Sequence, residues 1–265
     1  MKCRLCNYSK SFNKLVELKN FPRSAQQFLK LREVKKDLNI TLKVIQCPMC
    51  ELVQLDNEPV SYYKNVITAA SINETSKKEI KKEFNRIILR YDLLNTNVLE
   101  IGSATGDFLS ILNTCHVKAI GLENSKKNIK LSQKKKVKII NGYLLDNIKI
   151  NKKFNFIICN NFLEHQPRIK NFIEKAHALL KSDGIVYFSV PSLTRIIEKS
   201  CLYEFVTDHL VYFTEKTLKR AFENNGFDIL ETYYKNNKND IVLIGKKRNL
   251  ISLSDEKTKM SSILN

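Results

Sequence analysis

Two sets of residues have the types and spacing to do chemistry. The first is the run VLEIGSATGDFL at residues 98–109. An apolar stretch ends at Gly102, and Gly106 follows four residues later, just before a helical pattern begins at Phe108. Glycines there let the backbone turn tightly and approach a ligand closely. Glu123 closes the next alternating run, 21 residues after Gly102. A carboxylate at that place can accept hydrogen bonds from both hydroxyls of a ribose. The glycine spacing differs from a dinucleotide fingerprint. The run also lacks the Lys-Ser/Thr of a P-loop, which argues against a triphosphate cradle. The plainer alternative is a tight turn of any doubly wound sheet, and Glu123 weighs against it.

The second set is a repeated C-x-x-C, Cys3/Cys6 and Cys47/Cys50, with 40 residues between the pairs. Four thiolates from two knuckles suit tetrahedral zinc, and with no histidine nearby the site reads as closed and structural. A redox reading needs one pair beside a βαβ unit, and neither pair has one. Cys115, Cys159 and Cys201 are isolated, and Cys159 reads as a core residue. Of the four histidines, His165 follows Glu164 directly, His209 follows Asp208, and His116 and His177 read as structural.

These residues need elements to hold them. Residues 72–94 predict a helix whose Ile80, Phe84, Ile87, Ile88 and Tyr91 form one apolar face. From residue 95 short apolar runs alternate with helical ones, the signature of a parallel sheet with crossover helices. The strands are expected at Val98–Ile101, Val117–Glu123, Val137–Ile140, Phe154–Cys159 and Ile185–Val190. A terminal hairpin is expected from Phe227–Tyr233 and Ile241–Ile244. One strand, Ile40–Ile45, leads into the second cysteine pair. The expected fold class is α/β: a Rossmann-like, doubly wound, mostly parallel seven-stranded sheet with a C-terminal antiparallel hairpin, preceded by a small zinc-binding module. The expected divisions are residues 1–70 for that module, 71–94 for a connecting helix, 95–247 for the main domain and 248–265 for a loosely held tail.

Composition narrows the function. The 265 residues carry a net charge of +18, but 36 of the 45 basic residues are Lys. With 27 Asn and no Trp, this looks like A/T-rich codon usage. A nucleic-acid surface usually leans on Arg, whose planar fork grips phosphate in a bidentate way. A solvated Lys surface is the bland reading. Attraction of a phosphorylated small molecule lies between the two. No window offers the roughly 18–20 consecutive apolar residues of a membrane span. The start, MKCRLCNYSKSF, has no apolar leader. The expectation is a cytoplasmic protein with reduced cysteines, monomeric or dimeric.

Residues 95–247 resemble a class I S-adenosylmethionine-dependent methyltransferase. VLEIGSATG resembles that family's first motif, AIGLENS (119–125) its second strand with the ribose-binding acid, FNFIICNNFLEH (154–165) its fourth-strand motif, and LKSDGIVYFSVP (180–191) its fifth-strand segment. The resemblance implies S-adenosylmethionine as cofactor. Gly102, Ala104 and Gly106 would flank its methionine part, with Glu100 and Ser103 in the same motif. Glu123 would hold the ribose, Tyr143 and Leu144 would lie near the adenine, and Asn160, with Asn161 beside it, near the amino group. Many relatives carry an acid after strand three, where this chain has Asn141-Gly142, so Asn141 or a backbone carbonyl would take the adenine amine.

The cysteine module, the segment CELVQLDNEPVSYY (50–63) and this core together resemble methyltransferases of nucleotide-linked deoxysugars. In that family a histidine after strand five acts as base. The matching run YEFVTDHLVYF (203–213) supplies Asp208 and His209, with Val206 where the family has Tyr. The family's longer members have a further C-terminal domain, which is not expected here; that and Val206 weigh against C-methylation at a sugar ring and leave O- or N-methylation open. His209 is the first candidate base. Glu164 and His165, on the carboxyl edge of the sheet, could line the acceptor site or hold a divalent cation. The expected substrate is a nucleotide-linked sugar or a phosphorylated precursor of a surface polysaccharide such as a capsule. The competing functions are an RNA methyltransferase whose zinc module grips nucleic acid, and a binding module without catalysis. The chain lacks an Asn/Asp-Pro-Pro-aromatic run for base amines, and the intact Gly102/Gly106/Glu123 set argues for catalysis.

Overall fold

The computed structural model describes residues 1–23, 29–34, 37, 39–65 and 72–249. Its elements, in order, are β1 (Asn13–Pro22), α1 (Leu31–Val34), β2 (Asn39–Gln46), β3 (Val53–Leu55), α2 (Glu74–Arg90), β4 (Asn97–Ile101), α3 (Asp107–Asn113), β5 (Lys118–Glu123), α4 (Lys126–Ser132), β6 (Ile139–Asn141), β7 (Phe154–Asn160), α5 (Ile169–Leu179), β8 (Leu180–Pro191), α6 (Leu193–Glu198), β9 (Val211–Tyr212), α7 (Glu215–Glu223), β10 (Phe227–Lys235) and β11 (Asp240–Lys247).

The large sheet has seven strands in the order β10-β11-β8-β7-β4-β5-β6. β8, β7, β4, β5 and β6 are parallel, while β10 and β11 form an antiparallel hairpin whose second strand joins β8. This is the expected Rossmann-like architecture. The expected third strand starts at Ile139 instead of Val137, because Lys136 adopts a left-handed φ of 54° and the chain straightens only after it. The expected helix at 72–94 runs from Glu74 to Arg90, capped by the Asn73 side chain, which accepts from the Ser76 N–H at 2.8 Å.

Each face of the sheet is covered. Phe84, Ile87 and Ile88 of α2 and Phe108, Leu109 and Leu112 of α3 pack with Val98, Phe156, Ile158 and Tyr187 on one face. On the other, Phe172 and Ile173 of α5 and Leu218 and Phe222 of α7 pack with Leu99, Ile157, Val186 and Phe188. Strands buried on both sides are near-continuous apolar runs, as the sequence of β7 shows.

The N-terminal segment differs from expectation. Only one strand was foreseen there, yet β1, β2 and β3 form an antiparallel sheet whose fourth strand is β9, from the far end of the chain. Its small core joins Leu42, Val44, Val53 and Leu55 to Leu193, Ile196, Phe205 and Tyr212. β1 alternates poorly because most of it is exposed, and β9 is only two residues long, so neither carries a local pattern. This shared sheet fixes the N-terminal segment against the loop that carries His209. Of the expected tail, residues 250–265 lie outside the described residues, as do 66–71 at the expected boundary near residue 70.

Candidate active site

The glycine-containing loop leaves β4 by turning back on itself. Gly102 and Gly106 have φ of 75° and 76°, and Ala104, at 46°, shares the left-handed region. The Gly102 N–H donates to the Leu122 carbonyl at 2.9 Å, which ties the loop to β5. A Cβ on Gly106 would come within 2.8 Å of Val137. Ser103 is buried over Gly121, where any side chain would collide with its hydroxyl.

Glu123, at the end of β5, is buried, and both its oxygens are aimed by main-chain donors. The Ala104 N–H donates at 2.9 Å and the Ser125 N–H at 2.7 Å. Burial raises its pKa, and these two bonds oppose the rise. One carboxylate therefore links the glycine loop to the start of α4. Behind it, Glu100 is buried, its Oε2 has no partner among the described residues, and burial, reinforced by Glu123 and Asp107, pushes its carboxyl up to about 8.

The other residues expected at the cofactor surround the same edge. Asn141 donates its amide to the carbonyls of Glu123 (3.2 Å) and Asn124 (3.4 Å). Its donor group is thus used to close the end of β5. The Tyr143 hydroxyl donates to Gln166 Oε1 at 2.6 Å, and Tyr143 and Leu144 are both buried. Asn160 ends β7 and Asn161 follows it. The Asn160 side-chain oxygen accepts from Ser189 and, at 3.3 Å, from Lys235. The Asn161 amide donates to Asp240 at 3.3 Å, and its own oxygen accepts from Ser189 at 2.9 Å. Gln166 and Lys235 were missed in the sequence, since nothing local marks either as a partner of these groups.

Beyond Asn161, a 3₁₀ turn (Leu163–His165) carries Glu164 and His165 toward the loop before β9. The Leu210 N–H donates to the Glu164 carbonyl at 2.8 Å, locking turn and loop together. His165 and His209 meet edge to face, with ring centroids 4.8 Å apart. His165 Nε2 lies 3.8 Å from Glu164 Oε1. Ligating atoms of Glu164, His165 and His209 all fall within 4.8 Å of one another. Glu164 Oε2, Asp208 Oδ1 and His209 Nδ1 have no hydrogen-bond partner among the described residues. Burial pushes His165 down to about 4; burial and the neighbouring His165 push His209 down to about 3. Burial raises Glu164 well above the usual carboxylate range and Asp208 to about 6. The structure thus brings together the three residues expected on the acceptor side. His177 packs against Phe227 with centroids 5.2 Å apart, in keeping with a structural role.

The four cysteines converge as well. Cys3 and Cys50 sulfurs are 3.5 Å apart and those of Cys6 and Cys47 3.6 Å, with all four within 4.8 Å. The two knuckles turn alike: the Asn7 N–H donates to the Cys3 carbonyl and the Glu51 N–H to the Cys47 carbonyl, with φ of 62° and 64° at Asn7 and Glu51. Sulfurs at the corners of a tetrahedron with bonds of about 2.3 Å would be spaced much like this.

A sequence profile of the family described as "Methyltransferase domain" matches residues 71–232, more than half of the chain. The chain belongs to that family. Residues 71–232 thus form a class I S-adenosylmethionine-dependent methyltransferase domain, built on the Rossmann-like sheet. The chain is 29% identical over 123 residues to the ubiquinone biosynthesis O-methyltransferase of Pelagibacter ubique (strain HTCC1062), covering 44% of this chain and 51% of that one. It is 21% identical over 200 residues to the C-methyltransferase NovU of Streptomyces niveus, covering 72% and 48%. The chain spans about half the length of these curated relatives. The magnesium protoporphyrin IX methyltransferase of Synechocystis PCC 6803, solved with bound SAH, superimposes with a TM-score of 0.54 at 15% identity, covering 68% of this chain and 90% of that one. That likeness is one of fold. Among the described residues no helix is long and apolar enough to cross a membrane.

Proposed function

We propose that this methyltransferase acts on a nucleotide-linked sugar or a related phosphorylated precursor of a surface polysaccharide, at an O, N or C atom. The observation that carries the reading is the Glu164–His165–His209 cluster at the carboxyl end of β7. That is the edge where ligands bind in open α/β sheets. It offers Glu164 Oε2 and His209 Nδ1 without hydrogen-bond partners among the described residues, which suits one acceptor hydroxyl, amine or acidic C–H.

In this reading Gly102, Ser103, Ala104 and Gly106 line the cofactor, Glu123 meets its ribose and Glu100 sits behind. Tyr143 and Leu144 form the wall for the adenine, Asn141 holds that wall in place, and Asn160 and Asn161 face the methionine end. When bound, S-adenosylmethionine supplies an electrophilic methyl group on sulfur. The protein's share is alignment and proton removal. His209 Nδ1 accepts a hydrogen bond from the acceptor and orients it. At about pKa 3 its imidazole is too weak a base to keep the proton near neutral pH. Glu164, whose pKa is raised by burial, is the stronger base of the cluster, and His165, in contact with both, positions them. The sequence alone favours His209 as base, and the burial of the whole cluster moves that role to Glu164.

Cys3, Cys6, Cys47 and Cys50 fit a structural zinc ion that holds the N-terminal module, here taken as residues 1–70, over the acceptor side of the domain at 95–247. The test is to incubate the protein with S-adenosylmethionine and a panel of nucleotide sugars and follow them by mass spectrometry. A gain of one methyl by a panel member supports the reading. Unchanged masses throughout, with the same protein binding cofactor, count against it.

A further inference from the structure

Residues 60–65, which follow the N-terminal sheet, lie over the edge of the domain that carries Glu123 and Tyr143. The segment turns twice, with the Tyr63 N–H donating to the Val60 carbonyl at 3.1 Å and the Asn65 N–H to the Tyr62 carbonyl at 2.8 Å. The turns present three successive side chains to the edge that carries Glu123 and Tyr143. Tyr63 meets Tyr143 edge to face, with centroids 5.9 Å apart. Lys64 Nζ sits 2.8 Å from Asp146 Oδ1 and 5.1 Å from the centre of the Tyr143 ring. Asn65 Oδ1 accepts from the Asn124 amide at 2.6 Å.

The space beneath is correspondingly small. Gly102, Glu123, Asn124, Gly142, Tyr143, Leu144 and Lys64 enclose a void of about 10 Å³. That is room for no more than about one water molecule. An adenosine needs far more. Either the strap or the wall must move, and the wall is anchored. Tyr143 and Leu144 are buried, Tyr143 is bonded to Gln166, and Glu123 is held by two main-chain donors. Among the described residues the strap is held by the Asn65–Asn124 amide bond, the Tyr63 and Lys64 contacts with the Tyr143 ring, and an ion pair whose members are 34% and 46% exposed. Exposed pairs of this kind are weak and open readily.

We propose that Tyr63, Lys64 and Asn65 form a gate over the adenosine pocket, latched by the Lys64–Asp146 pair, and that its opening limits how fast the cofactor binds. The gate rests on the reading of Glu123, Tyr143 and Leu144 as the adenosine site. It couples that site to the N-terminal module, because the same segment continues from β3, which pairs with β9 next to His209.

The test uses the full chain and S-adenosylhomocysteine, which carries no sulfonium charge. Association rates are measured by surface plasmon resonance for wild type, Lys64→Glu, Asp146→Lys and the double variant, with circular dichroism confirming each fold. Both single variants should bind about threefold to fivefold faster, the size expected for losing one exposed ion pair. The double variant should return to the wild-type rate, because the latch is rebuilt with its charges exchanged. A purely electrostatic effect would move the two single variants in opposite directions and overturn the gate. So would unchanged rates in both, or a double variant as fast as the singles. If wild type fails to bind S-adenosylhomocysteine at all, the adenosine-site reading itself falls, which is a separate outcome.

Discussion

The Nδ1 atom of His165 lies 2.8 Å from the main-chain carbonyl oxygen of Asp208. A carbonyl can only accept, so Nδ1 carries the proton and Nε2 presents its lone pair toward Glu164, 3.8 Å away. The contact joins the turn after β7 to the loop before β9, and so sets the tautomer of one imidazole and the position of the other. It uses the main chain of Asp208, while the Asp208 carboxylate stays 3.9 Å from the same nitrogen.

That arrangement predicts which groups matter for turnover. Glu164→Gln and His209→Ala should each lower kcat by about 10²-fold or more, with cofactor affinity nearly unchanged. Because burial raises Glu164, the wild-type rate should climb with pH as its carboxylate ionises, and Glu164→Gln should lose that rise. Steady-state kinetics between pH 6 and 9 check both statements. A wild-type turnover in both variants would mean that the acceptor needs no base from the cluster.

Glu123 is the residue on which the cofactor assignment depends. In the proposed assignment its removal deletes charged hydrogen bonds to the ribose, together worth about 1.5–3 kcal/mol. Calorimetry on Glu123→Ala should show S-adenosylhomocysteine weakened by that amount. Glu123→Gln, which keeps one acceptor oxygen for the Ala104 or Ser125 N–H, should lose less.

Glu123 and the glycine loop were legible because their spacing along the chain reflects a local strand–turn–helix unit. The parallel strands were legible for a similar reason, since burial on both faces makes each one apolar throughout. β1, β3 and β9 were not, because their pairing is long-range and their sequences lack a clear alternation. The strap at Tyr63–Asn65 and the carbonyl of Asp208 act through contacts between distant segments, and no spacing in the sequence points to either. The C-x-x-C pairs gave the opposite case: two local motifs named four residues that converge in space.

Glu100 predicts a pH dependence of stability. Its folded pKa, about 8, lies above the ordinary carboxylate value, so the folded state holds a proton that the unfolded state gives up. The stabilisation is complete below about pH 4.5 and is lost as pH rises through about 8. Thermal unfolding of wild type should therefore weaken from pH 5 to 8 through this group. Glu100→Gln should unfold with a flatter dependence over the same window. Parallel curves for the two proteins would remove the assignment.

The cysteine cluster predicts about one zinc ion per chain by metal analysis. Cys47→Ser should lose the ion and lower the thermal midpoint, since binding energy at such sites is folding energy. A fully folded, metal-free wild type of equal stability would contradict the zinc assignment while leaving the methyltransferase core untouched.

The acceptor class is the central claim, and the destination of the transferred methyl tests it most directly. Cell extract supplied with the protein and S-adenosylmethionine labelled in its methyl group would be separated into low-mass phosphorylated compounds and RNA. The account predicts label in the low-mass fraction, resistant to ribonuclease, only modestly reduced between about 50 and 200 mM salt, and absent with Glu164→Gln. Label in RNA, with a loss of orders of magnitude over that salt range as several phosphate contacts are released, would contradict it.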